Sequence, residues 1–271
     1  MSIDVSGIKD GQRKMWTAGD YPDIARSLTG AAEVILASAE AGPGLSLLDV
    51  ATGAGNVAIP AALGGARVTG LDLTPKLLDV ARKRAAEAGV EVSFIEGDAE
   101  ELPFDNDSFD RVTSCFGVMF APRQELAASE LARVARPGAT IVFTAWTPEG
   151  LNGQMFKTVG SYMPPLPPEL RPPVMWGNEG HVHSLFESTG AELTFERHTV
   201  TFEHESALAW VEYNERVLGP TIVAKATLGP QGKWDALREE LIELYADGNE
   251  AEDGTFRAQA EYLLTVARLP A

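Results

Sequence analysis

Between Ser46 and Trp146 the chain alternates short apolar runs with segments whose apolar residues recur every three or four positions. The runs predict strands at Ser46–Ala51, Ala66–Leu73, Val90–Glu96, Phe109–Ser114 and Ala139–Trp146. The segments between them predict helices. One covers Asn56–Leu63 and closes at Gly64-Gly65. The next starts at Thr74-Pro75, an N-cap followed by proline at the first helical position. It carries Leu77, Leu78, Ala81 and Ala85 on one face and ends at Gly89. A third covers Glu125–Arg136, with Leu126, Leu131 and Val134 inward and Pro137-Gly138 as its stop. Such alternation predicts a doubly wound α/β fold. Right-handed crossovers then gather the loops after each strand along one carboxyl edge, where ligands bind.

Beyond Trp146 the pattern loosens. Six prolines between Pro164 and Pro173 form a stiff connector that would position Trp176-Gly177, or else a polyproline segment for a partner. His183–Ser188 reads as a helix end and Ala191–Glu203 as a strand. Helical patterns follow at Ser206–Leu218 and Lys233–Ala246. The second presents Trp234, Leu237, Leu241 and Leu244 as a stripe, with Gly248 at the C-cap. Phe256–Arg268 alternates as a last strand, with Phe256, Ala258, Ala260, Tyr262, Leu264 and Val266 on one face. No internal repeat is present.

Composition narrows the function. The length of 271 residues suits one large domain or one domain with a lid. A net charge of −17 repels a phosphate backbone, and Lys and Arg form no basic patch, so no nucleic-acid partner is expected. Cys115 is the single cysteine, which excludes an intrachain disulfide and a cysteine-based metal site. The N-terminus lacks a secretory pattern, and no apolar run approaches the roughly 18–20 residues of a membrane span. A cytoplasmic protein with a small-molecule partner and no membrane association is expected.

The stretch "LLDVATGAGNVA" carries the chemistry. From Gly53 it fits G-x-G-x-x-A, which dinucleotide-binding loops accommodate, so the glycines alone leave the ligand open. Three carboxylates, Asp49, Asp72 and Asp98, end three successive predicted strands. Asp72, 17 residues after Gly55, can accept hydrogen bonds from both hydroxyls of a ribose. Asp49 stands four residues before Gly53, where it would repel a pyrophosphate and attract a cation. Asp98 can accept from an adenine amine. S-adenosylmethionine offers an adenine, a ribose diol, two cationic groups and no phosphate. Each carboxylate also has a plainer reading, as a helix-terminus charge for Asp49 and a cap or turn residue for Asp98.

The segments "LLDVATGAGNVA", "VTGLDLTP", "FIEGDAEELPFDNDSFDRVTSCFGVMFAP" and "ELARVARPGATIVFTAWTPEG" resemble class I S-adenosylmethionine-dependent methyltransferases, most of all the branch of ubiquinone/menaquinone biosynthesis enzymes. The resemblance spans about Gln12 to Trp176. It implies a Rossmann-like seven-stranded sheet in the order 3-2-1-4-5-7-6, the last strand antiparallel, with helical lid insertions. It also implies S-adenosyl-L-methionine as cofactor and S-adenosyl-L-homocysteine as product.

Carried over by residue, Asp49 and the loop Ala51, Thr52, Gly53 and Gly55 would face the methionine portion. Asp72 would hold the ribose and Leu73 the adenine face, with Asp98 and Ala99 at the adenine edge. Ser114 and Cys115 would lie by the methionine chain and the transferable methyl. Trp16 and Tyr21, in a segment that resembles the cofactor cover, join the set. Ala51 stands where the family has its first glycine, and the loop is expected to keep a negative φ there. Residues 1–30 would then cover the cofactor and 31–146 form the core. Residues 147–190 and 205–250 would form the lid and pocket, and 191–204 and 255–268 the final strands.

The acceptor is not named by the sequence. Phe116, Met119, Phe120, Trp146, Phe156, Met163 and Trp176 fall near loops expected to border a pocket, which favours an apolar or aromatic small molecule. His181, His183, His198 and His204 are the histidines available as a base, and none is singled out. Cys115 is a small hydrophobe rather than a nucleophile. Asp105, Asp107 and Asp110 read as a solvated turn, so no metal is expected. A cofactor-binding protein or cyclase without methyl transfer, and an NAD(P)-dependent oxidoreductase, are the alternatives. The oligomeric state stays open, a homodimer being common for such folds.

Overall fold

The computed structural model describes residues 4–271, with the side chains of residues 21 and 22 outside the description. Seven strands form one sheet: β1 (Ser46–Val50), β2 (Arg67–Asp72), β3 (Ser93–Glu96), β4 (Phe109–Cys115), β5 (Ala135–Trp146), β6 (Glu192–His204) and β7 (Phe256–Arg268). Their order is β3-β2-β1-β4-β5-β7-β6. β1 to β5 run parallel, and β7 lies antiparallel between β5 and β6. β1 sits in the middle because its side chains suit burial on both faces. Leu48 and Val50 join the main core, and Leu47 joins a smaller cluster with Ala58, Ala61 and Val68.

Three helices precede the sheet: α1 (Val5–Ala18), α2 (Tyr21–Ser27) and α3 (Thr29–Ala39). Crossovers are made by α4 (Ala58–Leu63), α5 (Pro75–Ala88) and α6 (Gln124–Val134). α7 (Leu151–Tyr162) and α8 (Glu179–Phe186) lie between β5 and β6. α9 (Ala207–Val217), α10 (Gly219–Leu228) and α11 (Trp234–Asp247) lie between β6 and β7. These five are the insertions. α1 reaches back to them: a Cβ on Gly219 would sit 2.3 Å from the Met15 carbonyl oxygen, so the two backbones nearly touch.

The predicted strands and crossover helices all form, with ends moved by a few residues. Pro137-Gly138 does not stop α6 from outside. The helix ends at Val134 and β5 starts at Ala135, so both residues lie within the strand. Proline biases the residue before it away from helix, and Gly138 takes φ +75° where the pairing with β4 shifts register. Leu126 is exposed; Ala127 and Ala128 take the inward positions beside Leu131 and Val134. On α11 the buried stripe runs through Tyr245 rather than Leu244. The proline-rich stretch is a connector without helix or strand that leads into a short 3₁₀ turn, Pro173–Gly177.

Five helices carried no recognised signal: α1, α2, α3, α7 and α10. α3 buries Ala31, Ala32, Ile35 and Ala39, and small alanines give a weak periodic contrast. α10 opens on Gly219-Pro220, which reads locally as a turn.

Candidate active site

The loop after β1 is held from both sides. Thr52 donates its backbone N–H to the Leu71 carbonyl at 2.9 Å, and Gly53 donates to Asp72 Oδ2 at 2.8 Å. The expectation of a negative φ at Ala51 is corrected: its φ is +54°. That conformation costs an L-residue about 1–2 kcal/mol. The turn demands it, and the space exists because residue 117 is glycine. A Cβ on Gly117 would lie 2.4 Å from that of Ala51. Phe116, just after β4, also has φ +54°. Both strained residues line the same cleft, in keeping with the gathering of backbone strain at functional sites. Gly55 does not line it; at φ +82° it makes the turn into α4 and lies against Ile59.

The cleft spans about 680 Å³, counting space open to solvent, and runs along the carboxyl ends of β1 to β4. Ala51, Gly53, Asp72, Leu73, Asp98 and Ala99 all line it. Asp72 is buried, with Oδ1 accepting from Thr74 N at 2.8 Å and Oδ2 from Gly53 N. Burial raises its pKa, and those two N–H groups oppose the rise. A carboxylate has about four lone-pair sites, so acceptor capacity remains for a diol. At the far end Asp98 Oδ1 accepts from Glu100 N at 2.9 Å, and Lys9 Nζ lies 2.5 Å from Oδ2. Lys9 also pairs with the buried Glu100, whose oxygens accept from Arg123 N at 2.5 Å and Nε at 2.8 Å. Lys9, Gln12 and Trp16 of α1 form the opposite wall.

Asp49 is set apart. It lines a small adjoining pocket with Thr52 and Cys115, and Ala51 borders both spaces. Thr52 Oγ1 donates to one carboxylate oxygen at 2.6 Å and Thr113 Oγ1 to the other at 3.0 Å. Burial nevertheless pushes the Asp49 pKa up to about 7. Burial, and then the charge of Asp49, push the Cys115 thiol up to about 12, which leaves it a thiol. Ser114 lines neither space. Its hydroxyl donates to the Val50 carbonyl at 2.7 Å and accepts from Val118 N at 2.9 Å, so it clamps the β4 turn to β1.

A second chamber adjoins the cleft; Trp16, Phe116 and Phe120 line both. Trp146 and Phe156 also line it. Phe116 stacks on Trp146 with centroids 4.0 Å apart, and Trp16 meets Phe120 edge-on at 4.8 Å. Met119 and Trp176 are corrected to core residues. Both are fully buried, and Trp176 packs edge-on against Phe143 at 5.1 Å. Met163 packs against the core from the end of α7. The Tyr21 side chain lies outside the described residues.

Sequence reading missed Lys9 and Gln12 on the cleft, and Asn152, Phe202, Trp210, Asn214 and Tyr245 on the chamber. Lys9, Gln12 and Trp16 recur at helical spacing, a signal that could have joined the first two to Trp16. None of the four histidines lines the cleft or the chamber. His181 Nε2 lies 2.7 Å from Gln124 Oε1, and burial lowers its pKa. Among the described residues no cluster of His, Cys, Asp and Glu could hold a metal ion, and no helix is long and apolar enough to cross a membrane.

A parallel sheet with one reversed strand, and a carboxylate-lined cleft at its carboxyl edge, define a Rossmann-like methyltransferase fold. The family model described as "Methyltransferase domain" matches residues 48–143. A Mycobacterium tuberculosis protein of uncharacterised function is 39% identical over 275 residues, covering 98% of this chain and 99% of that one. The demethylmenaquinone methyltransferase of Thermus thermophilus is 41% identical over 115 residues, covering 41% and 52%. The solved structure of a candidate methyltransferase from Bacillus halodurans superposes with a TM-score of 0.64 at 22% identity, covering 89% and 99%. The chain belongs to the class I S-adenosylmethionine-dependent methyltransferases.

Proposed function

We propose that this enzyme methylates a small apolar or aromatic molecule held in the aromatic chamber, by in-line displacement. The observation that carries the reading is the shared wall: Trp16, Phe116 and Phe120 border both the carboxylate-lined cleft and the aromatic chamber. The donor set suits the cofactor. Asp72 and Asp98 line the cleft, and its single lysine, Lys9, is already paired with carboxylates, a poor environment for a pyrophosphate.

S-adenosylmethionine supplies an activated methyl on a sulfonium, with a neutral thioether as leaving group. In this reading Asp72 holds the ribose hydroxyls, Leu73 covers one adenine face, and Asp98 with the backbone of Ala99 reads the adenine edge. The Ala51–Gly53 turn faces the methionine portion, and Asp49 attracts its charge from the adjoining pocket. Residues 1–30 cover the cofactor, residues 31–146 form its binding core, and the insertions wall the acceptor. The rings at the junction exclude water and hold acceptor and donor carbon close and aligned, worth roughly 7–11 kcal/mol of barrier when the fit is good. Among the described residues no histidine or carboxylate lines the chamber, so positioning carries the catalysis.

The test is incubation of the purified protein with methyl-labelled S-adenosylmethionine and fractionated small-molecule extracts. Label in an organic-extractable product, with one equivalent of S-adenosylhomocysteine, is expected. Label confined to a charged aqueous product would overturn the choice of chamber.

A further inference from the structure

α1 walls one side of the cleft, yet apolar burial does not hold it there: none of its 14 residues, all among those described, is buried. A lone helix of about 12–15 residues is marginal in water, so α1 owes its place to contacts with the rest of the chain. Those contacts divide along its length. At the C-terminal end backbone lies against backbone, Met15 against Gly219 of α10. A Cβ on Gly19, just past the helix, would lie 2.2 Å from the Val217 carbonyl oxygen at the end of α9. Lys76 Nζ also donates to the Thr17 carbonyl at 2.9 Å. Toward the N-terminus side chains take over. Gln12 Nε2 donates to the Phe120 carbonyl at 2.5 Å, Arg13 Nε to the Leu73 carbonyl at 3.3 Å, and Lys9 pairs with Asp98 and Glu100.

Of these three, Lys9 is the one that meets carboxylates beyond α1. Its side chain is 12% exposed and that of Glu100 0%, so their pair is shielded from the water and salt that weaken a surface ion pair. Glu100 stays satisfied without Lys9, since Arg123 donates to it from its backbone N, Nε and Nη2. Asp98 is placed differently. One oxygen accepts from Glu100 N at 2.9 Å and the other meets Lys9, so Lys9 fixes the carboxylate proposed to read the adenine edge. About two of its four lone-pair sites remain for the ligand. One and two turns along α1, Gln12 and Trp16 rest on Phe120, which borders both cleft and chamber.

We propose that Lys9 is a positioning residue for the cofactor. By pairing with Asp98 and Glu100 it orients the Asp98 carboxylate and latches the N-terminal half of α1 against the cleft, with the backbone seat on α10 as the pivot, and so sets how fast the cofactor leaves. This rests on the reading of the cleft as the cofactor site.

The test is the release rate of S-adenosylhomocysteine from the full chain, by surface plasmon resonance, together with hydrogen exchange along α1. Lys9→Met is expected to speed release at least about tenfold, the scale of one hydrogen bond between charged groups. Exchange at residues 9–14 should quicken, while β1 to β4 exchange as before. Lys9→Gln, a second neutral variant, should match Lys9→Met, and Lys9→Arg, which keeps the charge, should restore slow release. Unchanged release in both neutral variants overturns the proposal, as does release equally fast in Lys9→Arg. Faster exchange throughout β1 to β4 also overturns it, since Lys9 would then support the fold at large. Asp72→Ala separates the two readings. Lost affinity there with unchanged release in the Lys9 variants sinks the role of Lys9 alone. Intact affinity in Asp72→Ala removes the cleft as the cofactor site, and both fall.

Discussion

The cleft proposed for the cofactor is walled on one side by turns at the carboxyl ends of β1 to β4, each contributing residues close in sequence, and on the other by α1. The aromatic chamber draws its wall from α1, α2, α7, α9, α10 and α11 as well as from the sheet. In the cleft the groups proposed for recognition are carboxylates tied to backbone N–H donors, with little freedom to move. In the chamber they are side chains whose positions depend on how separate helices pack. The first design fixes one ligand; the second lets the acceptor change while the fold stays.

Asp72→Ala is the most severe test of this contrast. It removes the proposed ribose acceptor together with the partner of Gly53 N and Thr74 N. Two charge-assisted hydrogen bonds of about 1.5–3 kcal/mol each predict a loss of cofactor affinity beyond a hundredfold by calorimetry, with a lowered melting temperature. Unchanged affinity would break the assignment of the cleft.

Asp49 gives two pH effects of opposite sign. Its pKa lies above the ordinary 3.8, at about 7, so the protonated carboxyl favours the fold. That stabilisation is complete below the unfolded value and is lost as pH rises to about 7. Asp49→Asn is expected to flatten this dependence in denaturant titrations between those limits. Affinity for the cationic cofactor should move the other way, falling up to about tenfold per pH unit below 7 as Asp49 takes up its proton. A cofactor affinity independent of pH from 5 to 8 would place Asp49 outside the site.

Phe156→Ala sharpens the comparison from the chamber side. The ring lines the chamber but not the cleft, and it packs against Phe120 at 5.9 Å. Acceptor KM should rise about tenfold, the scale of one lost aromatic contact, with cofactor affinity unaltered. Equal damage to both affinities would mean that the two spaces act as one.

The smallest effect is expected at Ala51→Gly. Relief of the positive φ should stabilise the protein by about 1 kcal/mol, or about 2–4 °C in melting temperature for a domain of this size. A lower melting temperature would show that the Ala51 methyl contributes more by packing than its backbone loses.

The same contrast governs what the sequence disclosed. The cleft was legible because Asp72 ends an apolar strand and Leu73, Asp98 and Ala99 follow one, so local pattern and topology place them together. Asp49 proved to line a smaller adjoining pocket rather than the cleft itself, since alternation gives the end of a strand but not which side of a turn a carboxylate takes. Ser114 and Trp176 were misjudged for a related reason: proximity to a loop does not reveal that a hydroxyl clamps two strands or that an indole fills the core. Asn214 and Tyr245 were out of reach, because their place in the same chamber wall as Phe116 depends on the packing of α9 and α11, which no periodicity encodes.

The alanine at 51 and the glycine at 117 occupy what is in effect a single volume, and the exchange between them runs in one direction. Residue 51 is free to give up its methyl. Residue 117 is not free to gain one, because the carbonyl oxygen of residue 51 would still stand 2.8 Å away after the methyl had gone. A loop grafted here from a relative with a glycine-first turn would therefore fit, whereas a graft that brings any side chain to 117 would force the two turns apart.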